Sequence, residues 1–442
     1  MRVLLLATTT GYQTRAFGEA AERLGVDLVF ATDRCDMLED PWQDRALPIR
    51  FYDEAASVAA ILAAAREAPI DAVVAVGDRP TVIAAMVREA LGLPGHPPAA
   101  AAAARNKRVA RERFKAAGLP TPRFVEGTST SEASHFAPLG FPMVIKPVAL
   151  SGSRGVMRVD NDAELSDGLA RVRSLMSSPD IRAERNDAHG SVLAEQFIEG
   201  REFALEGIMN QGILDVLAIF DKPDPLDGPL FEETIYVTPS NAPPTTQSAI
   251  VRAIATASRA LGLSHGPIHA ECRVNSRGVF VLEVAGRPIG GLCARALRFA
   301  RQGAAAEPHA LVRGNLIPIS AIGHEISFEE LLIRHALGEE SNAWRREWCA
   351  SGVMMIPIPR RGILRGVTGI DEARAVPAIE DVRITAKPDQ LLIPLPEGAS
   401  YLGFIFARAD RALDVDIALR TAHARLNFNI APEVRVLQSI HG

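Results

Sequence analysis

Cysteine is scarce in this chain: 442 residues contain four, Cys35, Cys272, Cys293 and Cys349. They are widely spaced and form no CxxC pair, which excludes a disulfide framework and a cysteine zinc site and points to a reducing cytoplasm. Also missing is any run of basic residues interleaved with aromatics. The 48 Lys and Arg stand against 53 Asp and Glu, a formal charge of -5, so there is no electrostatic footprint for nucleic acid. No apolar run approaches the roughly 20 residues of a membrane span. Residues 1–7 are too short for the apolar core of a signal peptide. They pass straight into Thr8, Thr9, Thr10 and Gly11, so they read as a buried first strand and a polar turn. A Walker A sequence is absent, and so is a GxGxxG fingerprint in the first βα turn, which removes the P-loop and the nicotinamide or flavin classes. Small molecules remain as partners.

The composition is that of a globular protein, 48% hydrophobic and 23% charged, and the length suggests about three domains. Strands predicted at 3–7, 27–31 and 72–76 alternate with helices at 15–24, closed by Gly25, and at about 81–91. Alternation of this kind implies a parallel, Rossmann-like sheet over residues 1–95. The Pro and Gly cluster at 93–98 marks a boundary. The alanines of 99–104 then start a helix that continues through Asn106, Lys107 and Phe114 to Gly118. Chemistry-bearing residues concentrate in the strand-rich part of 96–310. Residues 311–442 read as a separate α+β cap, with strands near 354–358, 362–369, 391–394 and 401–408 and a helix near 415–425.

Three stretches carry the chemistry. The apolar strand 141–147 ends with Lys146 and leads into Ser151, Gly152, Ser153, Arg154, Gly155 and Val156. Backbone N–H groups of such a loop can close on an anion while Lys146 supplies charge. The loop alone reads equally as a hairpin turn; a lysine inside an apolar strand favours the phosphate reading, because a buried ammonium without a partner is costly. In 192–206, alternation puts Glu202 and Glu206 on one face and Phe203 and Leu205 on the other. Carboxylates there suit ribose hydroxyls, and the backbone at Phe197 and Ile198 suits an adenine edge; a solvated edge strand is the plainer alternative.

The strongest pattern is 266–284. His269, Glu271 and Arg273 share one strand face, with Ile268, Ala270 and Cys272 on the other. With a three-residue turn at 276–278, Asn275 opposes Val279 and Glu271 opposes Glu283. Opposed residues have Cβ atoms about 4.5–5.5 Å apart, where like charges repel unless a cation intervenes. Magnesium fits, since hard oxygen ligands from carboxylates and phosphates are its usual set. Arg287 follows beside Gly290 and Gly291, and its guanidinium fork matches carboxylate or phosphate oxygens, or else an ordinary salt bridge.

In this order the pieces resemble the ATP-grasp superfamily from about Lys107 to Gly291, most closely its L-amino-acid ligases and related carboxylate-amine ligases. The resemblance implies a pre-ATP-grasp Rossmann-like domain and an α+β ATP-grasp domain of two lobes, about 120–190 and 191–305, clamping ATP. It implies phosphate contacts from Lys107, Lys146 and the 151–156 flap. Glu195, Gln196, Phe197 and Ile198 correspond to the adenine hinge, Glu202 to the ribose position and Glu271 and Glu283 to the magnesium carboxylates. His269, Arg287, Gly290 and Gly291 stand at substrate positions, with Arg287 and Lys146 catalytic. The segment 220–234, between the hinge and the metal hairpin, reads equally as a surface loop or as a contributor to substrate selection in which Glu233 holds an ammonium. Ala285 departs from the asparagine that many members carry there. The implied activity joins a carboxylate to an amine through an acyl-phosphate, using ATP and two Mg²⁺ ions, with Mn²⁺ as an alternative metal, in a cytoplasmic homodimer. Its rivals are a carboxylase that activates bicarbonate and a catalytically silent ATP-binding module.

Overall fold

The structure, a computed structural model, describes residues 1–8, 13–33, 46–301, 309–312, 315–318 and 325–433. The expected turn at Gly11 and the thiol of Cys35 lie outside these residues.

The first strand, Arg2–Ala7, is apolar and buried from Val3 onward, as a central strand with parallel neighbours on both edges requires. Asp27–Thr32 and Ala72–Val76 flank it in parallel register, and the short Leu47–Pro48 extends the edge. The expected helix is Thr14–Leu24, and Gly25 ends it at φ 63° by donating its N–H to the carbonyls of Ala21 and Glu22. The helix Glu54–Glu67, which the sequence reading passed over, starts where the Asp53 side chain accepts from the Ala56 N–H.

The expected single helix across 99–118 is two. Pro98–Ala104 ends at Arg105, and Lys107–Ala116 begins afresh with Asn106 in extended conformation, its side chain accepting from the Val109 N–H at 3.1 Å. The break is a capping event, and it places Lys107 in the first turn of the new helix.

Two sheets then face each other. The smaller is antiparallel, with Phe124–Thr128, Ser191–Gln196, Met143–Pro147 and Met157–Val159 in that order, and the helix Asp162–Met176 covers its apolar face. The larger has eight strands. Its first five are Gly278–Ala285, Gly266–Asn275, Arg201–Asn210, Ile213–Asp221 and Ile235–Thr238, backed by the helix Pro244–Leu261. Its last three are Ala350–Ile356, Gly403–Ala409 and Ile379–Ile384.

The C-terminal α+β region is joined to the ATP-grasp domain through this sheet. Ala350–Ile356 is buried along its whole length, so it needs a partner on both edges. It pairs antiparallel with Ile235–Thr238, Tyr236 opposite Val353, and the ATP-grasp sheet runs on into the C-terminal region.

Candidate active site

A cavity of about 710 Å³ lies between the two sheets, walled by the N-terminal domain and the C-terminal segment 399–404. Every residue expected at the site lines it except Gly155. That glycine serves the loop's shape instead. Its φ is 75°, a Cβ would come within 2.8 Å of the Pro147 ring, and its N–H donates to the Pro396 carbonyl. Gly152 and Ser153 also adopt positive φ, so 151–156 is a coiled loop whose Ser151, Gly152, Ser153 and Val156 face the cavity.

Lys107 donates through Nζ to the Leu150 carbonyl and lies 3.9 Å from Glu283. Lys146 ends its strand as expected and pairs with Glu195. Burial lowers the proton affinity of Lys146, only partly offset by Glu195, and its pKa is brought down to about 8. The Glu195 carboxylate is therefore committed to the protein. Burial alone would raise its pKa, but Arg111 and Lys146 hold it at about 2. In the hinge, the Gln196 N–H donates to Arg123 and the Phe197 N–H to Pro142, whereas that of Ile198 donates to no described residue. Phe197 stacks under the Arg158 guanidinium at 4.4 Å.

Strand alternation puts Glu202 and Glu206 on one face with His269, Glu271 and Arg273, as expected; all but the fully buried Glu206 line the cavity. Their partners come from further along the chain. Lys222 Nζ donates to Glu202 at 2.8 Å, Glu233 at 2.8 Å and Glu271 at 3.0 Å. Burial opposes its charge, yet the three carboxylates raise its proton affinity well above normal. Arg273 takes the other oxygen of Glu202 at 2.9 Å, so both sides of that carboxylate are engaged. Glu233, expected to hold an ammonium, holds this internal one; burial and then the charge of Glu271 raise its pKa. His269 pairs with Glu206 and approaches Glu271 at 3.4 Å, and these carboxylates outweigh burial and lift its pKa to about 10.

The hairpin itself differs from expectation. Asn275 pairs with Gly278 across a two-residue turn, which continued regularly would set Leu282 opposite Glu271. A β-bulge at Leu282 absorbs one residue, and Glu271 faces Glu283 after all. The opposed pair is real, but the turn that was to produce it is not. The compact carboxylate group is Glu202, Glu233 and Glu271, with oxygens within 4.8 Å of one another, while Glu283 sits apart beside Lys107. The Lys222 ammonium occupies the compact group, while Glu271 and Glu283, hard oxygen donors on opposed strands, fit a magnesium ion completed by phosphate.

Arg287 makes a bidentate pair with Asp78 of the N-terminal domain, at 2.8 and 3.0 Å, and its third nitrogen donates to the Pro288 carbonyl. Burial raises the Asp78 pKa, but Arg287 outweighs it and brings the value to about 2, with Ser151 and Lys107 contributing. Gly290 and Gly291 follow at the cavity wall, the latter at φ 62°.

The sequence reading missed Asp78, Arg111 and Lys222 as site residues. Asp78 had a signal: it stands just past the carboxyl end of a parallel strand, where such sheets place ligands. Arg111 repeats the position of Lys107 one turn on, along a helix face with buried Ala110 and Phe114.

Comparison with known proteins agrees with this arrangement. The ATP-grasp domain pattern matches residues 139–296, the ATP-grasp N-terminal domain 18–95, and the L-amino acid ligase C-terminal domain 2 covers 354–431. The chain belongs to the ATP-grasp superfamily. Within it, the crystal structure of the L-amino acid ligase from Bacillus licheniformis superposes with a TM-score of 0.74 at 26% identity, covering 97% of this chain and 98% of that one. Among curated sequences, the uncharacterized protein y4rH of Sinorhizobium fredii is 26% identical over 348 residues, 77% of this chain and 64% of that protein. The alanine–anticapsin ligase of Bacillus subtilis is 29% identical over 217 residues, 46% of this chain and 45% of that protein. The alignments thus span less than two thirds of either relative. Among the described residues, no helix is long and apolar enough to cross a membrane.

Proposed function

We propose that this protein is an ATP-dependent ligase that joins a carboxylate to an amine through an acyl-phosphate and releases ADP and phosphate. The observation that carries the reading is one cavity in which Lys107, Lys146, the 151–156 loop and the opposed Glu271 and Glu283 meet.

In this reading ATP lies between the sheets. The Ile198 amide meets adenine and Glu202 the ribose, while Lys107, Lys146 and the loop amides meet the phosphates. Glu271 and Glu283 would hold magnesium, two ions with Mn²⁺ as a substitute; the metal, when bound, neutralises phosphate charge. A carboxylate oxygen of the first substrate attacks the γ-phosphorus and ADP leaves, with Lys146 and the loop amides offsetting the transferring charge. The amine nitrogen of the second substrate then attacks the acyl carbon. The C–O bond to phosphate breaks, the nitrogen gives up a proton, and phosphate departs with the original carboxylate oxygen.

Arg287, oriented by Asp78, and the glycines at 290 and 291 stabilise the oxyanion. His269 and Glu233 stand at the substrate end. The loop's contacts to the C-terminal segment, Gly155 to Pro396 and Arg154 to the Glu397 carbonyl at 2.9 Å, support a closed state that keeps water from the acyl-phosphate. The units 1–95, 96–310 and 311–442 serve as substrate wall, ATP clamp and lid, the last sharing the clamp's sheet. A cytoplasmic setting accords with the free thiols of Cys272, Cys293 and Cys349. A homodimer follows from the family resemblance and is checked by sedimentation.

The test is ADP release screened over pairs of amino acids and small acids, with the product identified by mass. ADP release that needs both an acid and an amine, with an amide product, supports the ligase. Release with bicarbonate and no amino acid would favour a carboxylase, and no release with any pair would favour a silent module.

A further inference from the structure

Arg111 is buried completely, at 0% exposure, and spends its guanidinium on two different sheets. Its Nε donates to Glu195 Oε1 at 2.6 Å and its Nη2 to Glu195 Oε2 at 3.3 Å. The other edge donates to two carbonyls of the metal hairpin, Nη1 to Val281 at 3.2 Å and Nη2 to Leu282 at 2.8 Å. Leu282 is the extra residue of the bulge, and the bulge alone brings Glu283 opposite Glu271. Glu195, for its part, carries Lys146 on its second oxygen. A single side chain therefore reaches the phosphate lysine of the small sheet through one carboxylate, and the opposed glutamate of the large sheet through the backbone that displaces it.

We propose that Arg111 is a positioning residue that sets Lys146 and Glu283 in register with each other across the two sheets. The proposal rests on the ATP-site reading above. Only a planar fork with five donors can grip a carboxylate on one edge and two successive carbonyls on the other; an ammonium offers three donors from one point. A bulge leaves one residue unpaired in the ladder, so its carbonyls need a partner from outside the hairpin. Arg111 supplies it, which ties the metal-facing register to the geometry of the lysine. A buried ion pair that only stabilised the fold would give no reason for the two carbonyl bonds to fall at the bulge.

The experiment is calorimetric titration with ADP, in EDTA and then in saturating Mg²⁺, on the parent chain, Arg111→Lys and Arg111→Ala, each checked for folding by thermal melt. Lysine keeps a positive charge on Glu195 but releases the bulge. In Arg111→Lys, metal-free ADP affinity therefore stays within about twofold of the parent, while the gain in affinity that Mg²⁺ confers falls by about 10–100-fold, the range for loss of an outer partner of a metal ligand. Arg111→Ala loses metal-free affinity as well; should it fail to fold, the lysine variant decides. An equal Mg²⁺ gain in parent and Arg111→Lys overturns the proposal. A parent chain that binds no ADP under either condition overturns the ATP-site reading and the proposal with it.

Discussion

Lys222 is the residue whose removal the site should tolerate least, and the cost can be worked from its surroundings. Its side chain is 3% exposed, and its ammonium is the shared partner of Glu202, Glu233 and Glu271. Lys222→Met keeps the volume and removes the charge, leaving three carboxylates facing one another out of water. Breaking a buried ionic network by deleting one partner costs about 3–5 kcal/mol. At about 2–4 °C per kcal/mol for a unit of this size, the melting temperature of the transition that contains the large sheet should fall by about 6–20 °C near neutral pH. The pH dependence has a definite sign. Without the ammonium the folded-state pKa of Glu233, raised already by burial and Glu271, rises further, and that of Glu271, which burial would raise but Lys222 and His269 hold at about 2, rises with it. A carboxyl with a raised folded pKa contributes stability below its unfolded value and loses it as pH rises. The deficit of the variant relative to the parent should thus be small near pH 5 and largest near pH 8, and added Mg²⁺ should restore part of it at pH 8 by taking the cation's place. Differential scanning calorimetry at the two pH values, with and without Mg²⁺, reads all three effects. A variant as stable as the parent at pH 8, or one more destabilised at pH 5 than at pH 8, would refute the reasoning.

Other substitutions test other parts of the site. Glu283→Gln should abolish ADP release while leaving the melting temperature within about 2 °C of the parent, since Glu283 is only partly buried and lies at the cavity wall; near-normal turnover would remove it from the metal site. Lys146→Ala should weaken nucleotide affinity by calorimetry. In the parent that affinity should also decline as pH rises through about 8, where Lys146 loses its proton, and the decline should vanish in the variant. His269 is held protonated up to about 10 against an ordinary 6.5. Its contribution to stability is complete below pH 6.5 and lost as pH climbs toward 10, so denaturation midpoints should fall across that window in the parent and stay level in Glu206→Gln.

The fold was legible wherever local pattern and burial coincide. Period-two alternation put His269, Glu271 and Arg273 on one face because a strand with one packed side has no other register open to it. The parallel N-terminal sheet could be read from its apolar runs. What escaped was set by contacts between distant segments. The pairing of Ile235–Thr238 with Ala350–Ile356 joins strands more than a hundred residues apart, and no local signal marks it. The bulge at Leu282 has a hydrogen-bond partner on the distant helix Lys107–Ala116, and no residue of the hairpin itself signals it. No local signal distinguishes a buried lysine after a strand, or a buried arginine on a charged helix, from a solvated one, and only the assembled sheets reveal Lys222 and Arg111 as buried. The break at Asn106 was accessible, since asparagine before a helical run is a capping signal, but the alanines upstream masked it.

The reaction course can be followed in a single isotope experiment. Once the screen has supplied a substrate pair, the acid component is prepared with ¹⁸O in both carboxylate oxygens and turned over to completion with unlabelled ATP in unlabelled water. If its oxygen attacks phosphorus and leaves with it, each phosphate released carries one ¹⁸O and the amide product retains the other. Phosphate free of label, or AMP and pyrophosphate in place of ADP and phosphate, would contradict the acyl-phosphate account.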